Sequence, residues 1–181
     1  NFDMLNALPV EDWNGGKVHR VSENILHLMR GQVFEFAAKS WFTMGGAQSH
    51  DIDDGILDPN APDFAERYVR LRRRHGMFRI LRESWWPEEM PSKEEMQAAE
   101  QALAARGNKV DFILTHEAPY SSVHRFSNGR YETNELSVWF DKIKAQTQFE
   151  AWFHGHHHIN CRSENVVGLY RKIIKLEQAL E

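Results

Sequence analysis

Ser92–His116 reads "SKEEMQAAEQALAARGNKVDFILTH", and it decides the fold class. Ser92 followed three residues later by Glu95 is a capping box, in which each side chain satisfies the other's backbone N–H at a helix start. The alanine-rich run behind it favours helix, and Gly107 supplies the left-handed residue that ends one. "KVDFILTH" comes at once as a short apolar strand closing on His116. Helix followed directly by an apolar strand predicts an α/β unit whose strand is buried on both faces.

The same order recurs downstream. "NELSVWFDKIKAQT", from about Asn134, predicts a helix, and "FEAWFHGHHH", Phe149–His158, predicts a strand running into histidines. "NVVGLYRKIIKLEQALE" predicts one more strand and a closing helix or tail. Upstream, "KVHRVS" from Lys17, "ILHLMRG" from Ile25 and "VFEFAAKSWFTMGG" from Val33 predict three strands punctuated by glycines. A loop is expected over 47–62, where acids, glycine and proline cluster, and a helix from Asp63 to about Glu83 that Gly76 interrupts. The two prolines of "WWPEEMP" end it. Neither repeat nor linker divides the chain, so residues 1–181 are expected to form a single domain.

Both predicted strands end in histidine, at His116 and at His154–His158. In open α/β sheets, sites form beyond the carboxyl ends of strands, so these histidines are expected to meet. Imidazole is the commonest metal-binding side chain near neutral pH. In an extended segment His156 and His158 face one side and His157 the other. Gly155 permits close backbone approach. His116, His156 and His158 are therefore the candidate metal ligands. Histidines alone do not balance a dinuclear hydrolytic centre, which calls for bridging carboxylates.

"SHDIDDG" from Ser49 does not supply them as a calcium loop: counting Asp51 as position 1 puts Pro62 where the last acidic ligand belongs. The H-x-H-x-D-H pattern of metallo-β-lactamases also fails, because His158 and Ile159 occupy its last two positions. His19, His27, His75 and His124 read as ordinary hydrogen-bonding residues.

Composition narrows the rest. The chain has 181 residues, 41% hydrophobic, with a formal charge of -4. No basic field for nucleic acid exists overall, and "RLRRRH" from Arg70 reads as the solvated face of a helix, with a phosphate patch as the alternative. A single cysteine, Cys161, permits no internal disulfide. No run is long and apolar enough to span a membrane, so a cytoplasmic protein is expected. More than twenty residues lie beyond the histidine run, so it is no terminal tag.

"DFILTHEAP" followed by "WFHGHHH" resembles the second half of the calcineurin-like metallophosphoesterases, whose last two motifs are a strand-end histidine and Gly-His-x-His. "FTMGGAQSHD", "SWWPEEMPSKEE" and "GLYRKIIKL" extend the resemblance, to the bacterial and phage branch, over most of the chain. It implies an αββα sandwich and metal-dependent hydrolysis of a phosphoester by two divalent ions, manganese, iron or zinc. It also implies that His116 and His156 share one ion while His158 holds the other. The second ring nitrogens of such ligands need partners, and Glu117 is a candidate, with a solvated strand-end acid as the alternative. Trp85 and Trp86 read as core packing or as the border of a substrate cleft.

The family's earlier motifs, Asp-x-His, Gly-Asp and Gly-Asn-His with an acid after it, are absent, and "NFD" at Asn1 resembles the residues just past the third motif. The resemblance therefore implies a C-terminal half, inactive alone, with a bare apolar sheet face for the missing half or a second copy. The alternative is a non-catalytic metal-binding or interaction module.

Overall fold

The computed structural model describes residues 2–180 and divides the chain into two compact units. Of the described residues, one comprises 2–47 and 91–180, the other 48–90. The fold is mixed α/β.

The larger unit opens with a short helix, α1 (Phe2–Asn6), and the strands β1 (Val10–Trp13), β2 (Gly16–Ser22) and β3 (Ile25–Leu28), which form an antiparallel three-stranded sheet. Next come β4 (Gln32–Phe36) and β5 (Lys39–Met44). The run from Val33 thus holds two strands rather than one. They turn at Ala37 and Ala38, both left-handed (φ 53° and 55°). Two successive positive φ values are the hairpin turn that matches strand twist, and alanine is a costly way to build it.

The smaller unit contains β6 (Ile56–Leu57), α2 (Phe64–Arg73) and β7 (Arg79–Ile80), with β6 and β7 paired in parallel. Helix α2 stops ten residues short of the predicted end at Glu83. His75 is left-handed (φ 55°), Gly76 N–H bonds back to Leu71 O at 2.9 Å, and the Asp54 carboxylate accepts the Met77 N–H at 2.9 Å. These contacts satisfy groups that further helix would have paired. The acids of the preceding loop are engaged: Asp51 pairs with Arg79, which holds its carboxyl below the usual range, and Asp54 with Arg74. Trp85 and Trp86 are half-buried.

Back in the larger unit, α3 (Lys93–Ala104) starts on the predicted capping box, with Ser92 Oγ accepting Glu95 N–H at 3.1 Å and Glu95 accepting Ser92 N–H at 2.8 Å. Then come β8 (Phe112–Thr115), α4 (Tyr120–Ser127), α5 (Glu135–Gln146), β9 (Ala151–His154), β10 (Cys161–Ser163) and β11 (Val166–Gly168). The six-stranded sheet has the order β10-β11-β9-β8-β5-β4, parallel across β11, β9, β8 and β5. A short 3-10 turn, Leu176–Ala179, stands where a closing helix or tail was expected.

On one sheet face, Trp152 packs edge-on to Phe140 of α5, with centroids 5.3 Å apart. On the other, Phe112, Ala151, Phe153 and Val167 form a buried cluster, with Trp41, Leu169, Ile174 and Leu176 packed against it. Part of this face is thus covered by the chain's own C-terminal segment, through Leu169, Ile174 and Leu176. The hydrophobic effect favours this contact, since these three aliphatic side chains and the cluster leave water together.

Asp111 fastens β8 to β5. Its Oδ2 accepts Ser40 N–H and Ser40 Oγ–H, both at 2.7 Å, and Lys39 Nζ donates to Oδ1 at 3.0 Å. The Ser40 N–H, then its hydroxyl, hold the Asp111 carboxyl well below the usual range, with Lys39 adding to the effect. A folded pKa below the unfolded one gives stability that is present above about pH 4 and lost as pH falls further. Asp111→Asn is expected to cost about 1–2 kcal/mol at pH 7 in urea unfolding, and the gap from wild type should narrow below about pH 4.

Candidate metal and histidine site

Strands β8 and β9 are parallel neighbours, with Phe112 opposite Ala151 and Leu114 opposite Phe153. Their carboxyl ends place His116 and the histidine turn side by side. Gly155 N–H donates to His116 O at 3.1 Å. A Cβ on Gly155 would lie 3.2 Å from His116 Nδ1, so the imidazole packs where only glycine leaves ordinary room.

Strand β9 ends at His154, and the chain does not stay extended through the histidines. His156 and His158 both take left-handed φ values, 61° and 52°. The strand-like alternation expected of them therefore does not hold. His156 turns toward His116, with ring centroids 5.2 Å apart. His158 is exposed and stacks on Tyr170 at 4.8 Å. His157, expected to face away, is buried between Phe126 at 5.4 Å and Tyr131 at 4.8 Å.

Glu117 organises these residues. It is 1% exposed, which marks it as an interior carboxylate rather than a solvated acid. Oε1 accepts Ala118 N–H at 2.8 Å and lies 2.8 Å from His157 Nε2, while Oε2 accepts the Asn134 side-chain N–H at 3.1 Å. His156 Nε2 lies 3.8 Å from Oε2. Burial pushes the Glu117 pKa up, but the His157 bond, the Ala118 N–H and the two nearby imidazoles outweigh it and hold the value down to about 2. An ionised carboxylate only accepts hydrogen bonds, so His157 Nε2 carries the shared proton.

His154 lies flat against Phe126 at 5.6 Å and 10°. Its Nδ1–H donates to Gly155 O at 3.1 Å, and burial above all lowers its pKa to about 4. It is a neutral interior histidine at pH 7. Thr115 Oγ1 accepts the Trp152 indole N–H at 2.8 Å and donates to Glu117 O at 2.5 Å, which ties the strand ends to the core.

Among the described residues no three His, Cys, Asp or Glu side chains converge closely enough to hold an ion by themselves. His116 and His156 fit together as two nitrogen donors; His158 is not gathered with them. Sequence reasoning missed His157, Asn134 and Phe126. Asn134 carried a signal only as a helix start, which it is, accepting Ser137 N–H at 2.9 Å.

No protein-family model, curated protein or solved structure matches the chain. No helix among the described residues is long and apolar enough to cross a membrane.

Proposed function

We propose that these residues form the histidine-bearing half of a calcineurin-like, two-metal phosphoesterase domain of αββα type. The observation that carries this reading is the approach of His116 and His156 at the ends of adjacent parallel strands, with a buried carboxylate behind them. His116 and His156 would share one divalent ion, manganese, iron or zinc. His158 would hold its neighbour, and the acidic ligands of the centre would come from sequence outside these 181 residues. When bound, the ions supply a hydroxide nucleophile at neutral pH and offset charge on the phosphoryl group of a phosphomonoester or diester. The task of this chain's own residues is geometric. Gly155 admits the His116 ring, the left-handed turn aims His156 at it, and Glu117 holds the turn.

A second reading, a metal-binding or interaction module without chemistry, is favoured by the stacking of His158 on Tyr170.

Hydrolysis of an aryl phosphate and an aryl phosphodiester with added manganese separates the two. The 181-residue chain should be inactive. A protein extended upstream through an Asp-x-His motif should turn over. An extended protein that binds manganese without turnover would establish the module instead, and full activity from the 181 residues would refute the division of ligands.

A further inference from the structure

Resting on the metal reading above, we infer that Glu117 is a positioning residue that sets the His116–His156 pair by clamping His157, with Asn134 as its anchor. Two strand ends have to be held in register for the pair to form, and Glu117 touches both. Through the chain it adjoins His116 on the β8 side. Through its carboxylate it grips His157, which adjoins His156 on the β9 side. The turn it holds is strained, because His156 and His158 are both left-handed, a conformation that disfavours residues other than glycine. Such a turn persists only where its surroundings over-determine it. Here the fixing contacts are those of His157, packed among Phe126, Tyr131 and His154 and bonded to Glu117.

The carboxylate is itself fixed from two directions. Ala118 N–H and His157 share Oε1, and Asn134 donates to Oε2. Asn134 is not free to rotate, because its carbonyl oxygen caps α5 by accepting Ser137 N–H. The start of a helix, a buried acid and the histidine turn therefore form one connected unit. An amide cannot replace the acid in isolation. In Glu117→Gln one oxygen can still accept from Ala118 and His157, but the new N–H2 then faces the Asn134 N–H2, donor against donor. Adding Asn134→Asp repairs this, since the introduced carboxylate still caps α5 and accepts from the new amide.

The test uses the full chain, wild type, Glu117→Gln, and Glu117→Gln with Asn134→Asp. Co2+ titration by visible absorption reads the metal pair, and metal-free 15N–1H spectra of the imidazoles read the clamp. We expect Glu117→Gln to weaken Co2+ binding about 10–100-fold, the range for losing the group that orients a metal-bound histidine. The donor clash with Asn134 displaces the new amide, so the His157 Nε2–H signal should shift and broaden as its bond weakens, and contacts between the His116 and His156 rings should be lost. The double substitution should restore the signal, the ring contacts and most of the affinity. A purely structural acid would show its loss in melting temperature while leaving the affinity of the still-folded fraction unchanged, which would overturn the proposal. So would an unperturbed His157 signal in Glu117→Gln, or a double substitution no better than the single. If wild type binds no Co2+, the metal reading fails by itself, and the imidazole spectra still decide whether Glu117 sets the pair.

Discussion

Trp152→Ala is expected to destabilise the chain by about 3–5 kcal/mol, the range for truncating a large buried aromatic. Trp152 is 0% exposed and sits edge-on to both Phe140, at 5.3 Å, and Phe149, at 5.7 Å. Its removal empties the core between β9 and α5. It also strips the indole N–H from Thr115 Oγ1, next to the bond that Thr115 makes to Glu117 O. Trp152→Phe keeps most of the packing and loses the hydrogen bond, so about 1–2 kcal/mol is expected. Urea unfolding followed by circular dichroism gives both values. A loss under about 1.5 kcal/mol for the alanine variant would show that this packing does not anchor the sheet.

His116→Ala should lower divalent-metal affinity at least about 100-fold, equivalent to ~2.7 kcal/mol. In the proposed site the ion would lose one of its two nitrogen donors from this chain, and nothing else among the described residues gathers to replace it. His156→Ala should cost as much. Because both act on one ion, the double variant should cost clearly less than the sum of the two, which is the signature of a shared site. His75→Ala, on an exposed residue of the other unit, serves as the control. Isothermal titration with Zn2+ measures all four, and an unchanged affinity in His116→Ala would remove that residue from the site.

The features legible in the sequence were those that local chemistry encodes. The Ser92–Glu95 box and the Asn134 start formed where expected, and the apolar runs formed β8 and β9 as shorter strands inside the predicted stretches. The approach of His116 to His156 was legible one level up, because neighbouring parallel strands bring their carboxyl ends together. The expectations that failed depended on contacts distant in sequence. Helix α2 ends early partly because Asp54, well upstream, takes the Met77 N–H. The Ala37–Ala38 turn is held by pairing of β4 with β5, not by turn-forming residues.

The histidine turn shows the same limit most sharply. Strand alternation put His157 outside, yet Glu117 and two aromatic rings draw it in, and the backbone accepts two left-handed residues as a result. No periodicity carries that information, because the partners lie in β8's trailing segment, in α4 and in the segment that follows α4. The short helix α4 itself went unread, although its Phe126 forms the floor under His154 and His157.

The central claim is that His116 and His156 bind one ion together, and side-chain 15N spectra of all histidines during a Zn2+ titration test it most directly. The account predicts that one ring nitrogen of His116 and one of His156 shift in concert, with a single binding curve, while the His157 Nε2–H bonded to Glu117 stays in place. Zinc-dependent shifts confined to other histidines, such as the His19–His27 pair whose Nδ1 atoms lie 3.2 Å apart, with His116 and His156 unmoved, would contradict it.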